Sequence, residues 1–331
     1  MALAILMLSF FVADLITGSA DISPVKVLSI LFGQEEESIH SYIIFRLRLP
    51  RALAALFIGA GLSVSGVLMQ SLFRNPLAGP YVLGVSSGAS LMVALMVMLG
   101  GTGLSFLLFS GFGLALTAIV GALAVMFLVL FIAIRVHDSV SLLIIGIMIA
   151  GLTSSIVGII QYFTSPELLQ NYIVWTFGSL TAVEIGDLYF LIPVVSIGLI
   201  WSLSIQKSLN ILLLGDNNAQ LLGVNLKRIR YAIILITGLV AGVITAFAGP
   251  IAFIGVAVPH LVRNLFKTNN HFVVISGSIF TGASLLLACD IISQLPGTNI
   301  ALPINSVTSL IGAPIIIWII VKNKRLYASN F

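Results

Sequence analysis

The chain has 331 residues, of which 15 are basic and 11 acidic, while 59% are hydrophobic. A soluble protein carries about a quarter charged residues; with 8% charged and a mean hydropathy of +1.18, this chain cannot present a water-facing surface all round, so a soluble fold is excluded. The pI near 9.3 does not mark a nucleic-acid binder, because the basic residues stand singly at helix ends and not together on one face.

An α-helical span uses about 20 residues. Cut at charges and at Gly/Pro punctuation, the chain gives ten apolar windows: 2–18, 50–72, 80–100, 104–134, 140–163, 186–205, 231–248, 251–266, 272–290 and 303–321. The expectation is an all-α integral membrane protein of about ten transmembrane helices. A single transmembrane domain over 1–331 leaves no room for a soluble one. The first window ends in Gly18-Ser19-Ala20, which resembles a signal-peptide cleavage site, but no Lys or Arg precedes Lys26. A signal peptide needs a basic lead, so 2–18 reads as span 1, with Asp14 near the outer interface. The long window 104–134 allows a turn near Gly111, and the mixed stretch 164–185 holds a short helix around 170–177. The single Cys289 excludes an intrachain disulfide.

If the spans alternate, one face receives Arg74, Arg135, Lys207, Lys227, Arg228, Arg230, Arg263, Lys267, Lys322, Lys324 and Arg325. The other receives only Lys26, Arg46, Arg48 and Arg51. The positive-inside rule puts the first group in the cytoplasm with both termini. The outer face then collects Asp21, Glu35, Glu36, Glu37, Glu167, Glu184, Asp187 and Asp290.

Four constellations stand out. Arg46-Leu47-Arg48-Leu49-Pro50-Arg51, at the outer mouth of span 2, runs against the charge bias. It reads either as snorkelling to lipid phosphates or as a cationic patch for carboxylates of an extracytoplasmic protein, for which the arginine fork is apt. Arg74-Asn75-Pro76-Leu77-Ala78-Gly79-Pro80 breaks the helix between spans 2 and 3. Irregular backbone at membrane depth must be covered by protein or line a water-filled cavity, so it is either a tight reversal or a pathway lining. Third, 215–231 is a polar island between spans. Asp216 or Asn217 can cap one short helix, Gly223 can end it, and Asn225 can cap a second through Tyr231. Ala219, Leu222, Leu226 and Ile229 fall on one apolar face. The island is either an interfacial anchor or a rigid knob gripped by a cytoplasmic partner. Fourth, Ala248-Gly249-Pro250 is a sharp reversal and 259–263 ends a short span, where His260 reads as a capping or interface group.

What is missing also informs. No Lys follows a Gly, so there is no phosphate-binding G-x-x-x-x-G-K-[ST] loop. The four histidines, His40, His137, His260 and His271, have no metal-ligand spacing. No carboxylates pair along a span, which leaves a proton relay little to work with. These features argue against a membrane enzyme or an ion-coupled carrier and predict no cofactor and no bound metal.

The segments RLPRALAALFIGAGLSVSGVLMQSLFRNPLAGPYVLGVSSGAS (48–90), GDNNAQLLGVNLKRIR (215–230), AGPIAFIGVAVPHLVR (248–263) and LPINSVTSLIGAPIIIWII (302–320) resemble the signatures of the iron-chelate and cobalamin (FecCD-type) permease family of ATP-binding-cassette importers. The resemblance implies a type II ABC importer permease architecture. It implies a homodimer, or a heterodimer with a paralogue, two cytoplasmic ATPase subunits and a periplasmic or lipid-anchored binding protein in the bacterial inner membrane. It makes 215–231 the coupling segment, with Asp216, Ala219, Leu222, Gly223, Leu226 and Arg228 toward the ATPase. It assigns Arg48 and Arg51 to binding-protein docking, with Gln294 where the family's cobalamin member has a third arginine. It assigns Asn75, Leu77, Ser139 and Val140 to the gate. The first expectation for cargo is an iron chelate of siderophore type; the alternative is cobalamin or haem. The family's basic lead before span 1 is absent here, which leaves a truncated start open.

Overall fold

The computed structural model describes residues 1–99, 111–295 and 301–322, apart from 19, 21, 32, 34–37 and 137. Asp21, Glu35, Glu36, Glu37, His137, Lys324, Arg325 and the start of the 104–134 window therefore lie outside the described residues. The described residues form helices α1 (Ala2–Ile16), α2 (Pro24–Leu31), α3 (Ile39–Tyr42), α4 (Leu49–Phe73), α5 (Val85–Leu99), α6 (Gly111–Arg135), α7 (Ser139–Tyr162), α8 (Pro166–Thr176), α9 (Ile185–Ser204), α10 (Gln206–Leu212), α11 (Asp216–Leu221), α12 (Leu226–Ala248), α13 (Ile254–Phe266), α14 (His271–Ser293) and α15 (Ile304–Lys322). A π-type stretch, Ile43–Arg48, joins α3 to α4, and a 3₁₀ turn, Pro80–Leu83, leads into α5.

Six of these stretches are long and apolar enough to cross a membrane: Ile39–Phe73, Gly113–Arg135, Ser139–Tyr162, Ile185–Ser204, Leu226–Ala248 and His271–Ser293. Shorter apolar helices occupy the other four windows: Ala2–Ile16, Val85–Met98, Ile254–Phe266 and Ile304–Trp318. The chain is thus an all-α membrane protein whose ten apolar helices follow the ten windows in order.

Helix α4 is the axis. The most apolar window of the stretch Ile39–Phe73, to which it belongs, is 83% buried, against 17% for α7, and α4 packs on α14, α9, α13 and α12. Glycine makes this possible. A Cβ at Gly66 would collide with the Gly255 carbonyl, and one at Gly59 with the Gly282 carbonyl. Small residues let membrane helices approach backbone to backbone.

Between α12 and α13 the backbone is irregular, and other elements satisfy it. The Ser179 amide donates to Ala248 O (2.9 Å), the Ala252 amide to Asn305 Oδ1 (3.0 Å) and the Ile251 amide to the Tyr81 hydroxyl (3.3 Å). Non-helical chain inside a bilayer survives only when covered in this way.

One expectation needs correction. The second short helix of the island is not separate: Leu226–Ala248 is continuous, and Asn225 caps it by accepting from the Arg228 amide at 3.0 Å. Lys227, Arg228 and Arg230 extend the span past the apolar core, so hydropathy placed its start too late. Helix α2, the π-type stretch and α10 were not anticipated, because each is too short to have a period of its own.

Candidate functional sites at the two ends of the bundle

Helix direction sorts the functional residues into two ends. One end gathers the C-termini of α4, α6 and α13 with the N-termini of α7, α12 and α14, and α10 and α11 lie there too. The cationic side chains Arg74, Arg135, Lys207, Lys227, Arg228, Arg230, Arg263 and Lys267 share it.

At this basic end, α11 has Gly215 as its N-cap residue and makes no side-chain cap. Asp216 sits in its first turn and pairs instead with Arg74 (Nη2–Oδ1 2.5 Å), both half exposed. Gly223 (φ 83°) provides the left-handed turn into α12, as its position suggested. Leu221 and Leu222 project into the open, 86% and 60% exposed, and Arg228 is exposed beside them. Ala219 is different. It is fully buried, and its carbonyl accepts the Val224 amide at 2.9 Å. It shapes the turn from inside, so it does not share a contact face with Leu222; Leu226 and Ile229 are half buried.

The predicted gate residues lie at the same end. Asn75 Oδ1 accepts the Leu77 amide at 2.9 Å, closing a small turn, and the Leu77 side chain is 46% exposed. His260 Nε2 lies 2.7 Å from the Pro76 carbonyl, so the interface reading of His260 is correct. Ser139 and Val140 open α7, with Val140 exposed. Asp138 caps that helix by accepting the Ser141 amide (2.7 Å) and hydroxyl (2.8 Å), bonds that hold its carboxyl below the usual carboxylate range. Gly146, about two turns further on, packs against the carbonyl of Val82 in the 3₁₀ turn (Cβ position to oxygen 2.5 Å).

Sequence reasoning missed a second polar chain here. His271 lies between Ser71 Oγ (2.8 Å) and Asn210 Oδ1 (2.9 Å), and Arg263 Nη1 donates to Gln70 Oε1 (2.5 Å). No local pattern marks such contacts; the only sign was polar residues inside apolar windows.

The opposite end holds the residues assigned to binding-protein docking. Arg48, Arg51 and Gln294 do not form an open patch. Arg48 is 3% exposed and donates to the carbonyls of Leu15 (2.9 Å), Ile16 (2.7 Å) and Ala20. It caps the C-terminus of α1, where a helix leaves carbonyls unsatisfied and favours a cation. Arg51 Nε pairs with Asp290 Oδ2 at 3.0 Å, both nearly buried. Gln294 is buried and donates from Nε2 to Asp14 Oδ1 (2.9 Å) and Asp290 Oδ2 (3.1 Å). Two carboxylates therefore do meet within the bundle, although neither window contains a pair. Arg46 is the exposed arginine of the motif.

A cavity of about 520 Å³ lies near this end, lined by Gln170, Asn171 and Trp175 of α8 and by Phe247 and Gly249 at the reversal.

The sequence model of the FecCD transport family matches residues 5–322. The vitamin B12 import system permease protein BtuC of Serratia proteamaculans is 36% identical over 284 residues, covering 86% of this chain and 83% of that protein. BtuC of Klebsiella pneumoniae is 37% identical over 281 residues, covering 85% and 83%. A solved structure described as an inward-facing conformation of a metal-chelate type ABC transporter superposes with a TM-score of 0.84 at 29% identity, covering 97% of this chain and 98% of that one. With a family match spanning nearly its whole length, a shared fold and its motifs in order, the chain belongs to the FecCD transport family.

Proposed function

We propose that this protein is the permease of an importer that carries a corrinoid of the cobalamin type into the cell, as a dimer with two cytoplasmic ATPase subunits and an extracytoplasmic binding protein. As a FecCD-family ABC permease it is not an enzyme; ATP hydrolysis belongs to a partner. The observation that carries the cargo reading is the 36–37% identity to vitamin B12 permeases over some 85% of the chain. This moves cobalamin ahead of the iron chelate that the motifs first suggested. The metal-chelate type neighbour at 29% identity keeps an iron chelate as the second reading.

The basic end faces the cytoplasm in this reading, with both termini, and the membrane is the bacterial inner membrane. Leu221, Leu222 and Arg228 offer a projecting apolar and cationic surface for the ATPase. Nucleotide-driven movement there biases an inward- against an outward-facing state. Shifting such an equilibrium from 1:99 to 99:1 takes about 5.5 kcal/mol. Asn75, Leu77, Ser139 and Val140 act as the inner gate. Helix α7 faces the second copy and the pathway: it exposes Ile144, Met148, Leu152 and Ile159 along its length, and Gly151 and Gly158 have open space beside them. A wall of this apolar, small-residue kind holds cargo weakly enough to release it.

The test is uptake into vesicles holding the permease and its ATPase, with its binding protein outside. ATP-dependent accumulation of cyanocobalamin supports the first reading and accumulation of a ferric siderophore alone the second; movement of either without the ATPase would overturn both.

A further inference from the structure

The loop after α4 carries a residue whose conformation has to be explained. Arg74 is the C-cap of α4 and sits at φ 48°, ψ 28°, in the left-handed region that a non-glycine residue enters only at a cost. Here the conformation aims the guanidinium away from the helix and onto Asp216 Oδ1 at 2.5 Å, in the first turn of α11. Two residues on, the Pro76 carbonyl is held by His260 of α13 at 2.7 Å. Between these hooks, Asn75 braces its own turn through the Leu77 amide. The loop is thus a short rigid unit with one attachment to the bundle and one to the projecting island.

The ion pair is not there for stability. Its partners are 56% and 49% exposed, and pairs in water contribute little net stability. Position is what distinguishes it: among the described residues it is the side-chain ion pair between the loop and α11. Attraction between the two charges rises when water is excluded, and a partner subunit seated over Leu221 and Leu222 would do that.

We propose that Arg74 and Asp216 are positioning residues that carry displacement of the α11 turn onto the loop bearing Asn75 and Leu77, with His260 as the fixed pivot. The proposal rests on reading the island as the ATPase grip and the loop as the gate, and it adds the link between them.

The experiment uses the permease bound to its ATPase, with Leu77→Cys as a reporter in a Cys289→Ser background. The rate of labelling by a membrane-impermeant maleimide is compared with and without ATP and vanadate. The expected nucleotide effect is about tenfold in the parent, a usual size for coupling between sites. Read in complexes that retain the ATPase, it should vanish in Arg74→Glu and in Asp216→Arg and return in the double exchange. A merely structural role would not be rescued by swapping the charges. Retention of the effect in both single variants, or no recovery in the exchange, overturns the strut. No nucleotide effect in the parent, despite a bound ATPase, overturns the gate reading and the strut with it.

Discussion

Asp14 and Asp290, from the first helix and from α14, accept hydrogen bonds from the same side-chain nitrogen, Nε2 of Gln294, at 2.9 and 3.1 Å. Two acids, one amide and the guanidinium of Arg51 lock the ends of α1, α4 and α14 together where little water reaches. Gln294→Leu would leave both carboxylates short of a donor, which costs about 1–3 kcal/mol when a buried partner is removed. The expected result is a lower midpoint of thermal unfolding in detergent. A midpoint equal to the parent's would mean that the bridge contributes nothing.

Arg48 gives a sharper test, because the residue expected to dock a binding protein is buried against the α1 carbonyls. As a clasp on the α1 carbonyls, its loss should destabilise the chain by roughly 3 kcal/mol, the scale of charged hydrogen bonds left unmade. Arg48→Ala should lower the unfolding midpoint, and Arg48→Lys should restore part of it. Arg46 is exposed in the same motif, so Arg46→Glu should leave stability alone and weaken binding-protein docking if this end receives acidic side chains. The reverse pattern, with Arg48→Ala stable but undocked, would return Arg48 to the surface.

The contrast between these arginines shows what a single sequence could reveal. The ten apolar windows were legible, six of them as helices long and apolar enough to span a membrane, because length and hydropathy are local quantities. Gly223 and Asn225 were legible as turn and cap because both act on their own neighbours. Depth in the membrane is written in composition, but direction around a helix axis is not. Arg46 and Arg48 stand two residues apart in one motif, yet Arg48 faces the carbonyls of α1 and Arg46 is exposed. Asp14 with Asp290, Arg74 with Asp216 and His271 with Asn210 are partners far apart in the chain. A lone charge in an apolar window was a sign that a partner existed, without naming it. The burial of Ala219 was not legible for the same reason, since spacing alone could not tell an inward small residue from an outward one.

Glycine substitutions separate the packing of one chain from its contacts with another. A methyl at Gly66 runs into the Gly255 backbone, and forcing extra volume into a close-packed contact costs about 1–3 kcal/mol. Gly66→Ala should therefore lower the yield and stability of the folded permease. Gly151 has no atom within 4 Å of the site of its missing Cβ. Gly151→Leu should fold normally and still impair dimer formation or transport, as measured by mass of the purified complex and by uptake. Unimpaired transport with an intact dimer would show that this face of α7 meets lipid.

Leu222 tests the coupling surface. It is 60% exposed and lies in the turn between α11 and α12, so Leu222→Asp should change the permease's own stability by only about 0.5 kcal/mol. In the assembled importer the same change puts a carboxylate where an apolar contact is needed. The expected outcome is more ATP consumed per solute imported, or loss of the ATPase from the complex, with the permease itself intact by thermal unfolding. Uptake at the full rate with an unchanged ATP cost would leave the island as an anchor on the membrane surface. Ala219→Asp serves as the opposite control. That residue is buried inside the turn, so its replacement should destabilise the permease before any partner is added.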